Sequence, residues 1–180
     1  MACAKLVRYL RDIGIPFELG SHREGVCTAQ EVAGALGVRG RQFAKVVMVV
    51  ADGRLMMLVV PAHHRIIFGK QLNQTLVAKR VCLAKEEEFA GCFGERRQFC
   101  EAGAMCPFGH LYGFKVFMDS ALVTVPEIVF RAGTHHDVIE IATADYLRLV
   151  NPQIAQLSVP ARGKKAKRKR KSWLRRLLGL

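Results

Sequence analysis

The sequence predicts a mixed α/β domain. Apolar segments with the two-residue period of strands alternate with segments of helical spacing, and two long apolar segments flank an Asp-Gly turn that predicts an antiparallel hairpin. An antiparallel pair excludes a simple doubly wound parallel sheet. With 180 residues, 51% of them apolar and 24% charged, the chain is long enough for one domain with its own core and too apolar for a disordered protein.

The first elements are a helix, a short strand and a second helix. The apolar face of the first helix consists of Leu6, Leu10 and Ile13. Gly14 ends that helix, and residues 15–19 predict a strand that Pro16 confines to a strand start or a sheet edge. The motif Thr28-Ala-Gln-Glu31 has capping-box spacing, so a second helix is expected before Gly37.

A hairpin is the best-marked feature of the sequence. Residues 43–50 and 55–60 are strongly apolar, and Asp52-Gly53 lies between them. Because both segments are apolar on both faces, we expect the hairpin to lie inside a sheet that is covered on both sides.

The rest of the chain predicts short elements around a long loop. Helices are expected at about 70–78 and 85–90, and a loop-rich stretch runs from Gly91 to Gly113. Strands are expected at 115–118, 127–130 and 138–141. A last helix is expected to begin at the cap candidate Thr143 and to end at Asn151-Pro152.

The net charge of +13 is concentrated at one end of the chain. Residues 161–180 hold ten Lys and Arg and no acidic residue, while residues 1–160 hold 18 basic and 15 acidic residues. Arguments from charge therefore concern the tail.

Six cysteines without a CxxC pair exclude a disulfide scaffold, and no apolar run is long enough for a membrane span or a signal peptide. We expect a cytoplasmic protein with reduced thiols.

Lys45 is the first residue that suggests chemistry. It is the only charge in an eight-residue strand candidate, on the same face as Phe43, Val47 and Val49. Burying an ammonium without a partner costs free energy, so two interpretations of Lys45 are open. Either it lies at a strand end and its amine reaches water, or it lines a pocket that binds an anion or a polarised carbonyl oxygen.

The loop from Gly103 to Gly109 is the second candidate. Glycines at both ends allow unusual backbone dihedral angles and close approach, and such a turn can point several N–H groups at one oxygen. The alternative is an ordinary glycine-containing connector.

Histidines and cysteines supply further candidates. Two histidine pairs, His63-His64 and His135-His136, follow strand ends, where they either provide a base or a donor or simply face solvent. Cys100, Cys106 and His110 do not have the spacing of a common zinc site, and buried or idle thiols are the simpler interpretation. The sequence therefore predicts no metal site.

Taken in order, these motifs resemble a known family. The ordered set is Ile13-Gly-Ile-Pro-Phe17, Thr28-Ala-Gln-Glu31, Phe43-Ala-Lys45-Val-Val, Val60-Pro-Ala-His-His-Arg65, Gly103-Ala-Met-Cys-Pro-Phe-Gly109, Ala132-Gly-Thr-His135 and Asp145-Tyr-Leu-Arg148. It resembles the YbaK/ProX family of aminoacyl-tRNA deacylases, which is related to the editing insertion domain of bacterial prolyl-tRNA synthetase. The strand lysine together with the Gly-x-x-x-Pro loop is the most specific part of the resemblance, which covers residues 1–152.

The resemblance implies a fold, an activity and a site. The implied fold is a curved, mostly antiparallel sheet with surrounding helices, and the implied activity is hydrolysis in trans of the ester of a mischarged aminoacyl-tRNA, with no metal and no cofactor. The family's invariant lysine corresponds to Lys45, and its substrate loop corresponds to Gly103 and Pro107. A glycine and a histidine found in one subgroup correspond to Gly133 and His135. The substrate-binding set implied in this way is Val46, Cys106, Pro107, Phe108, Gly109, Gly133 and His135.

Two departures concern the substrate. Many members have Thr or Asn where this chain has Val46, and Ser or Thr where it has Cys106. Since such side chains select the amino acid, the sequence predicts only that it is small. The alternative function is a non-catalytic module with a degenerate editing fold that binds tRNA or a synthetase.

The tail is expected to lie outside the domain. The sequence predicts a deacylase domain at 1–152 and a basic, disordered or partly helical tail at 153–180. We expect the tail to contact tRNA phosphates, in preference to an anionic membrane surface that Trp173 and the leucines beside it could approach. Its phosphate-binding candidates are Lys164, Lys165, Lys167, Arg168, Lys169, Arg170 and Lys171.

Overall fold

A large sheet organises the part of the chain that a computed structural model describes, which is residues 3–21, 40–93, 100–101 and 103–161. The strands there are β1 (Glu18–Ser21), β2 (Phe43–Ala51), β3 (Arg54–Pro61), β4 (His64–Ile66), β5 (Val81–Leu83), β6 (Lys115–Asp119), β7 (Glu127–Arg131), β8 (Asp137–Ala142), β9 (Gln153–Ala155) and β10 (Ser158–Pro160). The helices are α1 (Ala4–Asp12), α2 (Lys70–Thr75), α3 (Glu86–Phe89), α4 (Ser120–Val123) and α5 (Thr143–Val150). Two 3₁₀ turns are also present: Gly109–Tyr112 lies in the stretch predicted to be a loop, and Ala90–Phe93 begins one residue before that stretch.

The strand order is β1-β8-β7-β2-β3-β6-β9, with β5 paired to β2 and a separate β4-β10 pair. In the large sheet β1·β8, β7·β8, β2·β3 and β2·β5 are antiparallel, whereas β2·β7, β3·β6 and β6·β9 are parallel. The predicted mixed α/β fold with a mostly antiparallel sheet is therefore confirmed.

The predicted hairpin is present as β2 and β3. Ala51 pairs with Arg54, so the connection contains only Asp52 and Gly53. Both have positive φ, +47° and +79°, which is the conformation of a type I′ turn and explains the Asp-Gly pair. The Asp52 carboxylate also accepts the N–H group of Lys79 at 2.8 Å, so the turn is held from outside the hairpin.

The hairpin is covered on both faces, as predicted. One apolar cluster contains Ala44 and Met48 of β2 together with much of the loop before β6. The second cluster contains Val49 of β2 with Leu72 and Leu76 at α2. Alternate residues of β2 therefore pack into different cores.

At the N terminus the helix and the edge strand are confirmed with shifted bounds. Leu6 and Leu10 are buried, but Ile13 caps α1 and is 41% exposed, so its place on the buried face was wrong. Gly14, at φ +68°, follows the helix end. The strand begins at Glu18, after Pro16, and β1 is an edge of the sheet.

Other predicted bounds change in detail. The helix expected at 70–78 ends at Thr75, and Val77 takes a positive φ of +53°. The cap of α5 is Ala142, and the buried hydroxyl of Thr143 has no hydrogen-bond partner within the described residues. The helix predicted between Thr28 and Gly37 lies outside the described residues.

The domain boundary predicted at 152 is too early. β9 adds to the edge of the large sheet beside β6, and β10 pairs with β4, so residues 153–160 belong to the fold. Sequence reasoning missed these strands because each has only three residues. The basic tail lies outside the described residues from 162 onward. No described helix is long and apolar enough to cross a membrane.

Candidate functional site

Lys45 lies half-buried in β2, and its ammonium is held by the backbone. Nζ donates to the carbonyl oxygen of Ala62 at 3.2 Å and to that of His64 at 2.5 Å. Burial lowers the pKa of Lys45. An ammonium has three N–H donors, so these two bonds leave one for another acceptor.

His64 belongs to a chain of buried polar groups beside Lys45. Its Nδ1 lies 3.0 Å from the hydroxyl of Ser158, which donates to Asp119 Oδ2 at 2.7 Å. Because the Ser158 hydroxyl already donates its hydrogen to Asp119, its oxygen must accept a hydrogen bond from His64, so Nδ1 of His64 carries the ring proton. Burial lowers the pKa of His64, and the neighbouring His63 ring, 4.3 Å away between centroids, adds to this effect.

Asp119 anchors this chain at the end of β6. Besides Ser158, its carboxylate accepts the N–H group of Leu157 at 3.0 Å and that of Ala121 at 2.9 Å. It thereby caps α4 and fixes the segment between β9 and β10. The residues predicted to form a tail are thus connected to the surroundings of Lys45.

The register of two parallel strands places Arg131 next to Lys45. Phe43 pairs with Val129, and Ala44 pairs with Phe130. The next residue of each strand is Lys45 and Arg131, and both share the face of Phe43 and Val129. The side chains of these two residues turn to different partners: Lys45 Nζ lies on the carbonyl oxygens of Ala62 and His64, and Arg131 Nη1 lies on Gly103 and His135.

Arg131 connects this face to the glycine loop. Its side chain is 6% exposed, and Nη1 donates to the carbonyl oxygen of Gly103 at 3.1 Å. Nη1 also lies 3.0 Å from Nδ1 of His135. A guanidinium only donates, so Nδ1 of His135 accepts, and Nε2 bears the ring proton of the neutral imidazole.

Backbone hydrogen bonds tie the loop to the turn after β7. The N–H group of Gly133 donates to Ala104 at 3.0 Å, and that of Glu101 donates to Gly133 at 2.8 Å. Glu101 also accepts the N–H group of His135 on its carboxylate, at 2.8 Å. The structure therefore brings together Gly103, Gly133 and His135, as the resemblance implies. The N–H group of Ala104 is engaged with the Glu101 carbonyl at 2.8 Å, so it does not point at a substrate oxygen.

Two glycines in this region have conformations that other residues resist. Gly103 has φ +77° and Gly133 has φ +94°. Among the described residues, a Cβ on Gly103 would contact only His135, at 3.7 Å, whereas one on Gly133 would lie 2.7 Å from Cβ of Cys3. Gly103 is thus required by dihedral angle, and Gly133 by both angle and space.

The rest of the predicted substrate loop faces the core. Cys106, Pro107, Phe108 and Gly109 are all buried, and Val46 packs against the same cluster. The Phe108 ring contacts the Tyr146 ring edge-on, and Tyr146 donates its hydroxyl to the carbonyl oxygen of Pro107 at 2.8 Å. Their contact with a substrate stays a prediction.

Gly109 is a packing residue in this structure. A Cβ there would lie 2.7 Å from Val116 and 3.1 Å from the sulfur of Met57.

The other residues predicted from the sequence are not gathered in one place. His136 is exposed, and the tail candidates Lys164 to Lys171 lie outside the described residues.

Three thiols converge behind the loop. The sulfur atoms of Cys3, Cys100 and Cys106 lie within 4.8 Å of one another and are buried. Hydrogen bonds from the Cys100 and Cys106 thiols lower the pKa of Cys3 to about 2, while the pKa of Cys106 is raised by its bonds to the other two thiols and by burial. His110, the third partner considered from sequence, is not in this group.

A cleft of about 540 Å³ lies on β1, β7 and β8, away from these residues. Its lining is Pro16, Phe17, Glu18, Glu127, Glu140, Ile141, Ala142 and Asp145. Four carboxylates there would repel the phosphates of a nucleic acid, so we do not assign the tRNA terminus to it.

Sequence reasoning missed four residues of the site: Glu101, Arg131, Asp119 and Ser158. The available signal for Arg131 was a charge at the end of an apolar strand, directly before Ala132-Gly133. Asp119 and Ser158 had no signal, because they meet through a connection of 38 residues that sequence cannot align.

Comparison with known proteins decides the family. Residues 23–149 match the family model described as "Aminoacyl-tRNA editing domain". The chain belongs to the aminoacyl-tRNA editing domain family. The resemblance drawn from its motifs is thereby confirmed, and so is the editing function that it implies.

Solved structures share the fold of this editing domain. A protein described as a candidate trans-editing enzyme for prolyl-tRNA synthetase is 22% identical, with a TM-score of 0.74 over 87% of this chain and 96% of its own. A scaffold used for epitope grafting is 21% identical, with a TM-score of 0.75 over 87% and 97%. A hypothetical protein, APE2540, is 18% identical, with a TM-score of 0.73 over 86% and 99%. No protein with a curated description matches the sequence.

Proposed function

We propose that this editing domain hydrolyses, in trans, the ester that joins a small, wrongly attached amino acid to tRNA, and that no metal or cofactor takes part in the hydrolytic step. The family match over residues 23–149 carries the proposal. The half-buried ammonium of Lys45 supports it, because the terminus of a tRNA is anionic.

Lys45 is the catalytic residue of the proposal. Its ammonium is oriented by two carbonyl oxygens, and its third N–H group is available for the terminal phosphate or for the oxyanion that forms when the ester is attacked. Because Ala104 already uses its N–H group within the loop, we assign less of the oxyanion stabilisation to the loop backbone than the sequence suggests.

Gly103, Arg131 and His135 form the second part of the proposed site. Arg131 holds the Gly103 carbonyl and the His135 ring together, so the loop has one defined position at the end of β7. A water molecule, assisted by a hydroxyl of the terminal ribose, is the proposed nucleophile. This assignment is consistent with the tautomer of His135, whose Nε2 bears a proton and cannot act as a base in the neutral ring.

The substrate is proposed to be small because of the physics of selection. A synthetase pocket separates amino acids that differ by one methylene by only about 1–3 kcal/mol, so small wrong amino acids are attached at a measurable rate. Val46 is the proposed selecting residue, since Cys106 is fully buried on the core side of the loop. Val46 is less polar than the Thr or Asn that many family members have there, so we expect an apolar side chain in the substrate.

Mischarged tRNA is the proposed partner, with a synthetase as a second one. The ten basic residues of the tail are proposed to contact the tRNA backbone, which requires binding that weakens steeply with salt. A membrane surface is a less favoured partner of the tail, and we propose a cytoplasmic location.

The test is a deacylation assay on tRNAs mischarged with alanine, cysteine, serine and other small amino acids, run at two salt concentrations. Turnover of one ester supports the proposal and identifies the substrate. The full chain and a chain ending at Pro160 should both turn over at high substrate concentration, with a higher KM for the shorter one.

The rival function is a non-catalytic tRNA-binding module. The burial of Cys106 and Phe108 and the engaged N–H group of Ala104 are the observations on its side. Salt-sensitive tRNA binding without turnover of any ester, lost on truncation at Pro160, would establish the module and overturn the hydrolase.

A further inference from the structure

The group of three thiols has the spacing of a metal site. Cys100 and Cys106 have their sulfur atoms 3.9 Å apart, and all three sulfurs lie within 4.8 Å of each other. Zn–S bonds of about 2.3 Å in a tetrahedron place two sulfurs about 3.8 Å apart. The thiols are therefore close to the arrangement in which one ion contacts all of them.

A fourth polar atom stands beside the three sulfurs. The hydroxyl oxygen of Tyr112 lies 3.2 Å from the sulfur of Cys3 and 3.8 Å from that of Cys100. In a tetrahedral site with Zn–O of about 2.0 Å, an oxygen and a sulfur lie about 3.5 Å apart. Tyr112 thus stands where a fourth ligand would stand.

The backbone holds these residues in place from three parts of the chain. Cys3 precedes α1 and donates its N–H group to Ala132, at the end of β7. Glu101, next to Cys100, donates its N–H group to Gly133. Cys106 lies in the substrate loop and is fully buried. Gly133 has no side chain, which leaves room for Cys3 and for the sulfur of Cys100, 3.3 Å from where its Cβ would be.

We infer that Cys3, Cys100 and Cys106 bind one Zn²⁺ ion as a structural site, with the Tyr112 hydroxyl in the fourth position. Among the common cellular metals, Zn²⁺ is the one that best fits soft thiolate ligands in a tetrahedral arrangement. Each thiol that binds the ion loses its proton, so binding releases up to three protons. This replaces the expectation of no metal, which considered Cys100 and Cys106 with His110 and could not foresee Cys3.

The site has a structural and not a hydrolytic role. Its three thiols are buried on the core side of the loop, and the half-buried Tyr112 fills the fourth position, so the ion has no open position toward a substrate. Zn²⁺ there joins the N terminus to the loop that carries Gly103, and it fixes the position of that loop. The inference does not depend on the proposed function, because metal content is measured without tRNA.

The first experiment measures metal in the full-length protein. The protein is expressed with zinc in the medium, purified under reducing conditions without a chelator or a metal column, and assayed for metals by mass spectrometry. We expect about one zinc per chain, and removal by a strong chelator should lower Tm by about 5 °C, with recovery when Zn²⁺ is added. Less than about 0.1 zinc per chain together with no rise in Tm on adding Zn²⁺, or one equivalent of another metal, would overturn the inference.

Variants locate the ion. Cys3→Ser and Cys100→Ser should each lose zinc by at least about tenfold, whereas the matched double variant Cys82→Ser/Cys92→Ser, at two exposed cysteines, should keep it. Equal zinc in Cys3→Ser and wild type would contradict the site. Because a variant can fail to fold, thiol alkylation is also measured on the wild type with and without Zn²⁺. Zn²⁺ should slow alkylation of Cys3, Cys100 and Cys106 and leave Cys82 and Cys92 unchanged, and equal rates with and without Zn²⁺ would again overturn the inference.

Discussion

Arg131 donates a hydrogen bond from Nη1 to the carbonyl oxygen of Gly103 across 3.1 Å. This bond joins the end of β7 to a loop 28 residues earlier in the chain. Because β7 pairs with β2 at Phe43 and Ala44, the bond attaches the loop to the strand beside the one that carries Lys45. Arg131 is therefore the proposed positioning residue of the site.

Arg131→Lys should lower kcat for deacylation by about 10- to 100-fold, because a lysine keeps the charge but cannot hold Gly103 and His135 with one planar group. KM should change little if Arg131 acts through the loop. The matched control is Arg54→Lys at the exposed hairpin turn, which should retain wild-type kinetics. A fall in Tm that fully accounts for the lost activity would mean that Arg131 is only structural.

Gly133→Ala should destabilise the fold far more than Gly53→Ala. Both glycines have a positive φ, which costs a residue with a side chain about 1–2 kcal/mol. The Cβ of an alanine at Gly53 would contact nothing within 4 Å in the described part of the chain, but one at Gly133 would lie 2.7 Å from Cβ of Cys3. Chemical denaturation of the two variants measures the difference. Equal losses of stability would show that Cys3 moves away freely.

Asp119→Ala should lower the free energy of unfolding by about 3 kcal/mol or more. The change removes the acceptor for three hydrogen bonds, two from backbone N–H groups and one from Ser158, and hydrogen bonds to charged groups contribute about 1.5–3 kcal/mol each. Asp119→Asn keeps one acceptor oxygen and should lose less. Urea unfolding compares the two. Near-wild-type stability of Asp119→Ala would contradict the anchoring of β9 and β10 described above.

Glu140→Gln should stabilise the protein at neutral pH and have no effect at low pH. Burial, with Glu127 and Glu18 adding like charge, raises the pKa of Glu140 above its ordinary 4.5. Since the folded state then binds the proton more tightly than the unfolded chain, the wild type loses stability as the pH rises from 4.5 through the folded pKa.

The expected gain in Tm from Glu140→Gln is about 1–3 °C at pH 7.5, since Glu18 stands directly opposite Glu140 and solvent screens part of the repulsion. Differential scanning measurements at pH 7.5 and pH 4 provide the comparison. A gain of the same size at both pH values would mean that repulsion is not its cause.

The sequence correctly predicted those elements that are marked by short-range patterns of residues. The Asp52-Gly53 turn and the two-sided burial of β2 follow from short-range patterns, so both were predicted correctly. β9 and β10 were missed because three-residue strands have no period to detect, and they are held by Asp119, which is distant in sequence. Ile13 was misplaced because α1 ends one residue before it.

For the site, motifs identified residues but not their connections. Gly103, Gly133 and His135 were grouped through family resemblance, and the structure places them together. Arg131 connects these residues, and its role could not be predicted because it depends on the parallel pairing of β2 and β7, which are distant in sequence. The meeting of Cys3 with Cys100 and Cys106 was equally out of reach, because their spacing of about 100 residues matches no local motif.

Lys45 provides the most direct test of the central claim, that this editing domain hydrolyses the ester of a mischarged tRNA near the start of β2. Wild type, Lys45→Met and the control Lys70→Met, at an exposed lysine, are compared on the ester that the wild type turns over. We expect Lys45→Met to keep wild-type circular dichroism and Tm but to lose at least about 100-fold in kcat/KM, while Lys70→Met stays at the wild-type value. Unchanged turnover by folded Lys45→Met would contradict the account.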